Sequence, residues 1–205
     1  MRHTLFLLIF ACAVPSQVVV AQRYSDLEVP RYELGAQFGL AHIQRVSDAL
    51  GVGASFDYNF NEHYALDSQF TYGPATASVD GAGDQTMFLV GVRAGQRVAS
   101  SGFFLHARGG FVHYSTANGA SPLFSRDTFP AFHVGGTLEH YFGSIQRPWE
   151  QNMFFRMELS ALIVCYGNAT FFGPPFPIIG SSPPPSGPLG IRVGPVFGLG
   201  VGFRF

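Results

Sequence analysis

From Tyr32 to Phe205 the chain repeats one pattern, an apolar residue followed by a small or polar one. In residues 32–43, Tyr32, Leu34, Ala36, Phe38 and Leu40 share one side, and Glu33, Gly35, Gln37 and Gly39 share the other. A period of two over this length predicts a β-strand with unlike faces. The pattern recurs in residues 50–60, 64–72, 85–96, 103–114, 131–142, 152–166 and 190–205. Eight strands are therefore expected, separated by stretches that hold the prolines, asparagines and runs of serine. The tight turn at 61–63 and the connection 97–102 are short. Residues 73–84, 116–128 and 167–188 read as loops, the last too rich in Pro, Gly and Ser to pair in a ladder.

Connection length adds topology. The even-numbered connections, 61–63, 97–102 and 143–151, average shorter than the odd-numbered ones. Outer-membrane barrels have short periplasmic turns and longer outer loops, so both termini are expected in the periplasm.

Composition sharpens the class. Charged residues make up 12% of the chain, with 25 glycines and 22 phenylalanines, which is more apolar than a soluble domain of this size. Beyond the amino-terminal segment no apolar run is long enough for a membrane-spanning helix, so a membrane would have to be crossed by strands. The near-zero net charge, without a basic patch, argues against nucleic acid as a partner. Residues 1–21 carry Arg2, an apolar run and small residues before Ala21, which reads as a cleaved signal peptide. Cys12 would suit a lipoprotein leader, but Phe10 stands where a small residue is wanted. Residues 22–31 form an extension, and residues 32–205 form the barrel. Once the leader is removed only Cys165 remains, so no internal disulfide is available.

The polar face carries Glu33, Asp57, Asp67, Glu139 and Glu158 together with Arg93, Arg108, Arg156, Arg192 and Arg204. An eight-stranded barrel has an interior just wide enough for side chains to fill. Equal numbers of both signs among glycines predict a lumen packed with ion pairs, and turning each Arg outward would cost about 2 to 4 kcal/mol in lipid. The aromatics Tyr32, Phe60, Tyr64, Phe142, Phe203 and Phe205 at one end, and Phe70, Tyr72, Tyr114 and Tyr166 at the other, are expected to form interfacial girdles.

The pieces GVRAGQRVASSGFFLHARGGFVHYS, HVGGTLEHYF and FFRMELSALIVCYG resemble strands of small OmpA-like or OmpX-like outer-membrane β-barrel proteins. The last strand places Phe197, Leu199, Val201, Phe203 and Phe205 at alternate positions. It resembles the insertion signal that the barrel-assembly machinery reads. The resemblance implies an eight-stranded antiparallel transmembrane β-barrel of up-and-down order. It also implies a monomer in contact with outer-membrane lipid and lipopolysaccharide, without a cofactor. Such barrels include adhesins, anchors, narrow pores and lipid-modifying enzymes. No OmpA-type wall-binding domain follows the barrel, so a wall-anchoring role is not expected.

One motif suggests chemistry. His113-Tyr114-Ser115 is similar to the His-x-Ser-Asn element of outer-membrane lipid A deacylases, with Thr116 where that family has Asn. A catalytic reading would make Ser115 the nucleophile and His113 the base, with Asp127 or Glu139 orienting it. A structural reading makes the same pair a polar strand end at the headgroups. His42, His63, His106, His113, His133 and His140 lack metal-ligand spacing, so no metal is expected. The leading expectation is a non-enzymatic barrel with functional outer loops, with a deacylase-like hydrolase and a narrow passive pore as alternatives.

Overall fold

The computed structural model describes residues 30–43, 47–74, 82–98, 100–116, 125–142, 152–170 and 188–205. The signal peptide, most of the 22–31 extension and much of the long connections, with Pro148 and Trp149, lie outside these residues, as does the His42 side chain.

The strands are β1 (Tyr32–Ile43), β2 (Ser47–Asn59), β3 (Tyr64–Gly73), β4 (Ala82–Val98), β5 (Ser101–Thr116), β6 (Thr128–Tyr141), β7 (Met153–Thr170) and β8 (Pro188–Arg204). Each pairs antiparallel with the next and β8 returns to β1, so the sheet closes as an eight-stranded up-and-down barrel. Closure leaves no unpaired edge. The seam is tied by reciprocal bonds of 2.9 Å between the backbones of Tyr32 and Phe205.

The register sets the shape. From Ala41 the ladder steps through Val196, Ser160, Gly135, His106, Arg93, Ala65 and Asn59. The Asn59 amide then donates to the Arg31 carbonyl. The path leaves at position 41 and returns at 31, a stagger of ten residues. With a rise of about 3.4 Å per residue and strands about 4.8 Å apart, that stagger tilts the strands by about 40°.

Alternation carries straight into three dimensions. Leu34, Phe38, Val52, Phe56, Val92, Leu105, Leu138, Leu159 and Val201 face outward and exposed, while Glu33, Asp57, Asp67, Arg93, Arg108, Glu139, Arg156 and Glu158 are buried inside. Small residues let strands and side chains approach. A Cβ on Gly135 would stand 2.6 Å from the Ser160 Cα, so alanine there would force β6 away from β7.

The ladder runs further than the sequence pattern predicts. β7 reaches Thr170 and β8 begins at Pro188, inside the expected 167–188 loop. Gly167, at φ 59°, pairs with Gly190, at φ 64°, across two register shifts. Left-handed backbone at paired glycines lets the ribbon bulge without ending, and it turns Ala169 and Leu189 into the core. β4 and β5 likewise extend to Ala82 and Thr116 around a shift between Ala82 and Gln85.

Candidate functional site

Three layers fill the lumen. At the end where β1 begins and β8 finishes, three guanidiniums and three carboxylates interlock. Arg93 Nη1 donates to Glu139 Oε1 at 2.7 Å and lies 3.4 Å from Asp57 Oδ2, while its Nη2 donates to Glu33. Arg156 Nη2 reaches Asp57 Oδ2 and Glu139 Oε1, both at 2.6 Å. Tyr141 donates its hydroxyl to Glu139 Oε2 at 2.6 Å and accepts from Arg97 Nε at 3.0 Å. Arg97 also pairs with Glu33. Aromatic rings close the layer, with Arg93 4.6 Å from the Phe104 centroid, Arg156 5.0 Å from Phe154 and Arg204 4.3 Å from Tyr141. Shared carboxylates and ring faces give each buried cation several partners, which offsets the desolvation that an isolated buried ion would suffer.

The middle layer centres on Arg108. It holds Asp67 at 2.8 and 2.7 Å, Gln69 at 2.6 Å and both Glu158 oxygens at 3.1 Å. His106 and His133 stack beside it with centroids 5.1 Å apart, and Ser160 Oγ lies 2.6 Å from His133 Nε2.

Beyond this level the lumen turns apolar, which corrects the expectation of ion pairs throughout. Met87, Leu89, Val112, Phe129, Leu162 and Val164 pack together inside the far half. Tyr114 and Tyr166, expected at the far girdle, belong to this packing instead. Their even positions on β5 and β7 face inward with Arg108 and Arg156, and their hydroxyls bond each other at 2.7 Å. Arg192 pairs in register with Val164 in this apolar half and makes no ion pair among the described residues. Its position, one layer too far along β8, removes it from the cluster that its charge suggested.

The outer surface of the far end changes from apolar to polar in one step of the ladder. Phe70, Phe88, Phe111 and Pro130 stand side by side, and two residues further on stand Tyr72, Thr86, His113 and Thr128. His113 Nδ1 lies 2.8 Å from Thr128 Oγ1. Ser115 Oγ accepts from the Asp84 amide at 2.7 Å, and Tyr72 donates to the Asp84 carboxylate at 2.6 Å. Neither candidate acid orients His113: Asp127 is exposed and contributes its carbonyl to the Tyr114 amide, and Glu139 is held by arginines at the opposite end. His113 and Ser115 share a face but each is occupied by a neighbouring strand.

On β8, Phe197, Val201 and Phe203 are exposed outward, as is Phe205 just past its end, and Leu199 is half-buried on the same side. Reading by sequence missed Arg97, assigned to a turn, and the inward Phe104, Tyr141 and Phe154. Parity with Glu139 and Arg156 signals Tyr141 and Phe154. The meeting of His106, His133 and Glu158 has no such signal, because it depends on register across three strands.

The family model for the outer membrane protein beta-barrel domain matches residues 4–159. Among solved structures the chain is similar to Neisserial surface protein A, with 14% identity, 85% of this chain and 96% of that one covered, and a TM-score of 0.53. It is also similar to the N-terminal β-barrel domain of Pseudomonas aeruginosa OprF, with 18% identity, 86% and 100% covered and a TM-score of 0.44. The attachment invasion locus protein Ail of Yersinia pestis follows at 16% identity, 85% and 96% covered and a TM-score of 0.41. No curated protein matches the chain. At 14% identity Neisserial surface protein A speaks for the fold alone, whereas the family match spans more than half of the sequence. A closed eight-stranded barrel with an apolar exterior, matched over that length, belongs to the outer-membrane protein β-barrel domain family.

Proposed function

We propose that this protein is a non-conducting, non-enzymatic barrel that presents its far end to the cell exterior for surface interaction or envelope integrity. In this reading residues 1–21 direct export and the barrel-assembly machinery engages the terminal strand. The termini remain in the periplasm, and the monomer sits among outer-membrane lipid and lipopolysaccharide. The observation that carries the reading is the filled lumen. Arg93, Arg108 and Arg156 are almost fully buried in ion pairs, and Leu89, Val112, Phe129, Leu162 and Val164 are fully buried above them. Water has little cross-section left in a barrel of eight strands. What the molecule offers to partners is then its far surface, where β4–β5 and β7–β8 extend past the polar row at His113.

Planar-bilayer recordings of the refolded protein test this. Rare, small openings or none are expected. Large, steady conductance steps would replace the proposal with the pore reading.

A further inference from the structure

We propose that His106, His133 and Glu158 form a buried site for one divalent transition-metal ion of the zinc class. One ligand atom from each residue lies within 4.8 Å of the others. Glu158 Oε1 stands 3.9 Å from His106 Nε2 and 3.5 Å from His133 Nε2. Bonds of about 2.0 to 2.2 Å around a tetrahedral ion place ligand atoms about 3.3 Å apart, so shifts of side chains alone would close the site. Two imidazoles and one carboxylate are the donor set that zinc and its neighbours accept, leaving a fourth position for water.

A second observation points to a ligand independently of this spacing. His106 Nε2 is a buried polar atom with no hydrogen-bond partner, on a side chain that is 0% exposed. Its other nitrogen, Nδ1, lies 3.1 Å from Thr137 Oγ1. With Nδ1–H donating to that hydroxyl, the lone pair of Nε2 is aimed at the cluster, which is how a ligating histidine is usually fixed by a neighbour. A buried acceptor left without a donor is costly, and a cation would satisfy it.

Arg108 and Ser160 are the groups that have to yield, since Ser160 Oγ already lies 2.6 Å from His133 Nε2. Arg108 Nη1 lies 3.1 Å from His133 Nδ1, so without an ion that nitrogen accepts and Nε2 carries the proton. On loading, Arg108 Nη1 withdraws from His133 Nδ1 as the His133 proton moves there from Nε2, Nε2 exchanges the Ser160 hydroxyl for the ion, and Glu158 Oε1 turns from Arg108 to the ion. No proton is released. Arg108 keeps Asp67 and Gln69, which already hold it at 2.6 to 2.8 Å. Because the site lies between the ion-pair layer and the apolar half, the ion enters as the barrel closes and is then trapped.

The test is to refold the full chain with Zn²⁺ or Co²⁺, remove loose metal with a chelator, and measure bound metal by mass spectrometry beside visible absorption of the Co²⁺ form. Folding is checked by the heat-dependent shift in gel mobility. About one ion per folded wild-type barrel is expected, with retention at least about tenfold lower for His106→Asn. Metal added after folding should load far more slowly than metal present during it. Folded wild type that retains no stoichiometric ion would overturn the site, as would retention unchanged in His106→Asn. Should that variant not fold, the Co²⁺ spectrum of the wild type decides: bands of nitrogen ligation support the site, and their absence removes it.

Discussion

Glu139 shows what a single residue contributes to this barrel. It receives Arg93, Arg156 and the Tyr141 hydroxyl, so its charge is shared by two guanidiniums that are almost fully buried. Glu139→Gln keeps the shape but leaves positive charge uncompensated, and a loss of about 3 to 5 kcal/mol is expected in guanidinium unfolding from micelles or vesicles. Glu62→Gln, on an exposed turn carboxylate, should change stability by no more than about 0.5 kcal/mol. The contrast separates burial from charge as the cause. Ser115 sits at the other extreme. Its hydroxyl bonds the Asp84 amide at the rim, so Ser115→Ala should cost about 1 kcal/mol or less. Lipid A from cells expressing either form should be identical by mass spectrometry. A lost acyl chain that depends on Ser115 would restore the hydrolase reading.

At the scale of the strand, period two decides which solvent each side chain meets. On β7, Leu159 faces outward, between the inward Glu158 and Ser160. Arg156 on the same strand is stabilised in the lumen, whereas Leu159→Arg would place the same side chain in lipid. A cost of about 2 to 4 kcal/mol is expected for a site near the bilayer midplane. Measured by unfolding in vesicles, a neutral result would mean that this face does not meet hydrocarbon. The outer face changes from apolar to polar on β3 to β6, where Phe70, Phe88, Phe111 and Pro130 give way to Tyr72, Thr86, His113 and Thr128. Strand length is a separate matter from lipid contact, as β7 and β8 show by continuing through the Gly167–Gly190 bulge.

At the scale of the molecule, the barrel depends on one seam. Phe205 ties β8 to β1 through two backbone bonds with Tyr32, and their rings lie 6.0 Å apart. Deleting Phe205 removes both bonds at the point of closure and the aromatic end of the proposed insertion signal. Fractionation should then show the deletion depleted from the outer membrane and Phe205→Tyr close to wild type. Equal outer-membrane levels for the deletion would mean that closure and insertion do not depend on this residue.

Alternation and turn chemistry were enough to read eight two-faced strands, because the side-chain period of a strand is local and survives without partners; which face turns inward came from the balanced charges among glycines and the cost of Arg in lipid. β1 was legible to its last residue, from Tyr32 to Ile43. The depth at which each inward residue lies was not legible, because tilt and a ten-residue stagger assign depth jointly across all eight strands. That is why Arg192 fell among apolar neighbours, why Tyr114 and Tyr166 met inside the lumen, and why Arg97 joined Glu33 from an expected turn. His106 and His133 read as unrelated strand residues 27 positions apart. Only closure of the sheet, which fixes register over distances that no local pattern spans, stacked them beside Glu158.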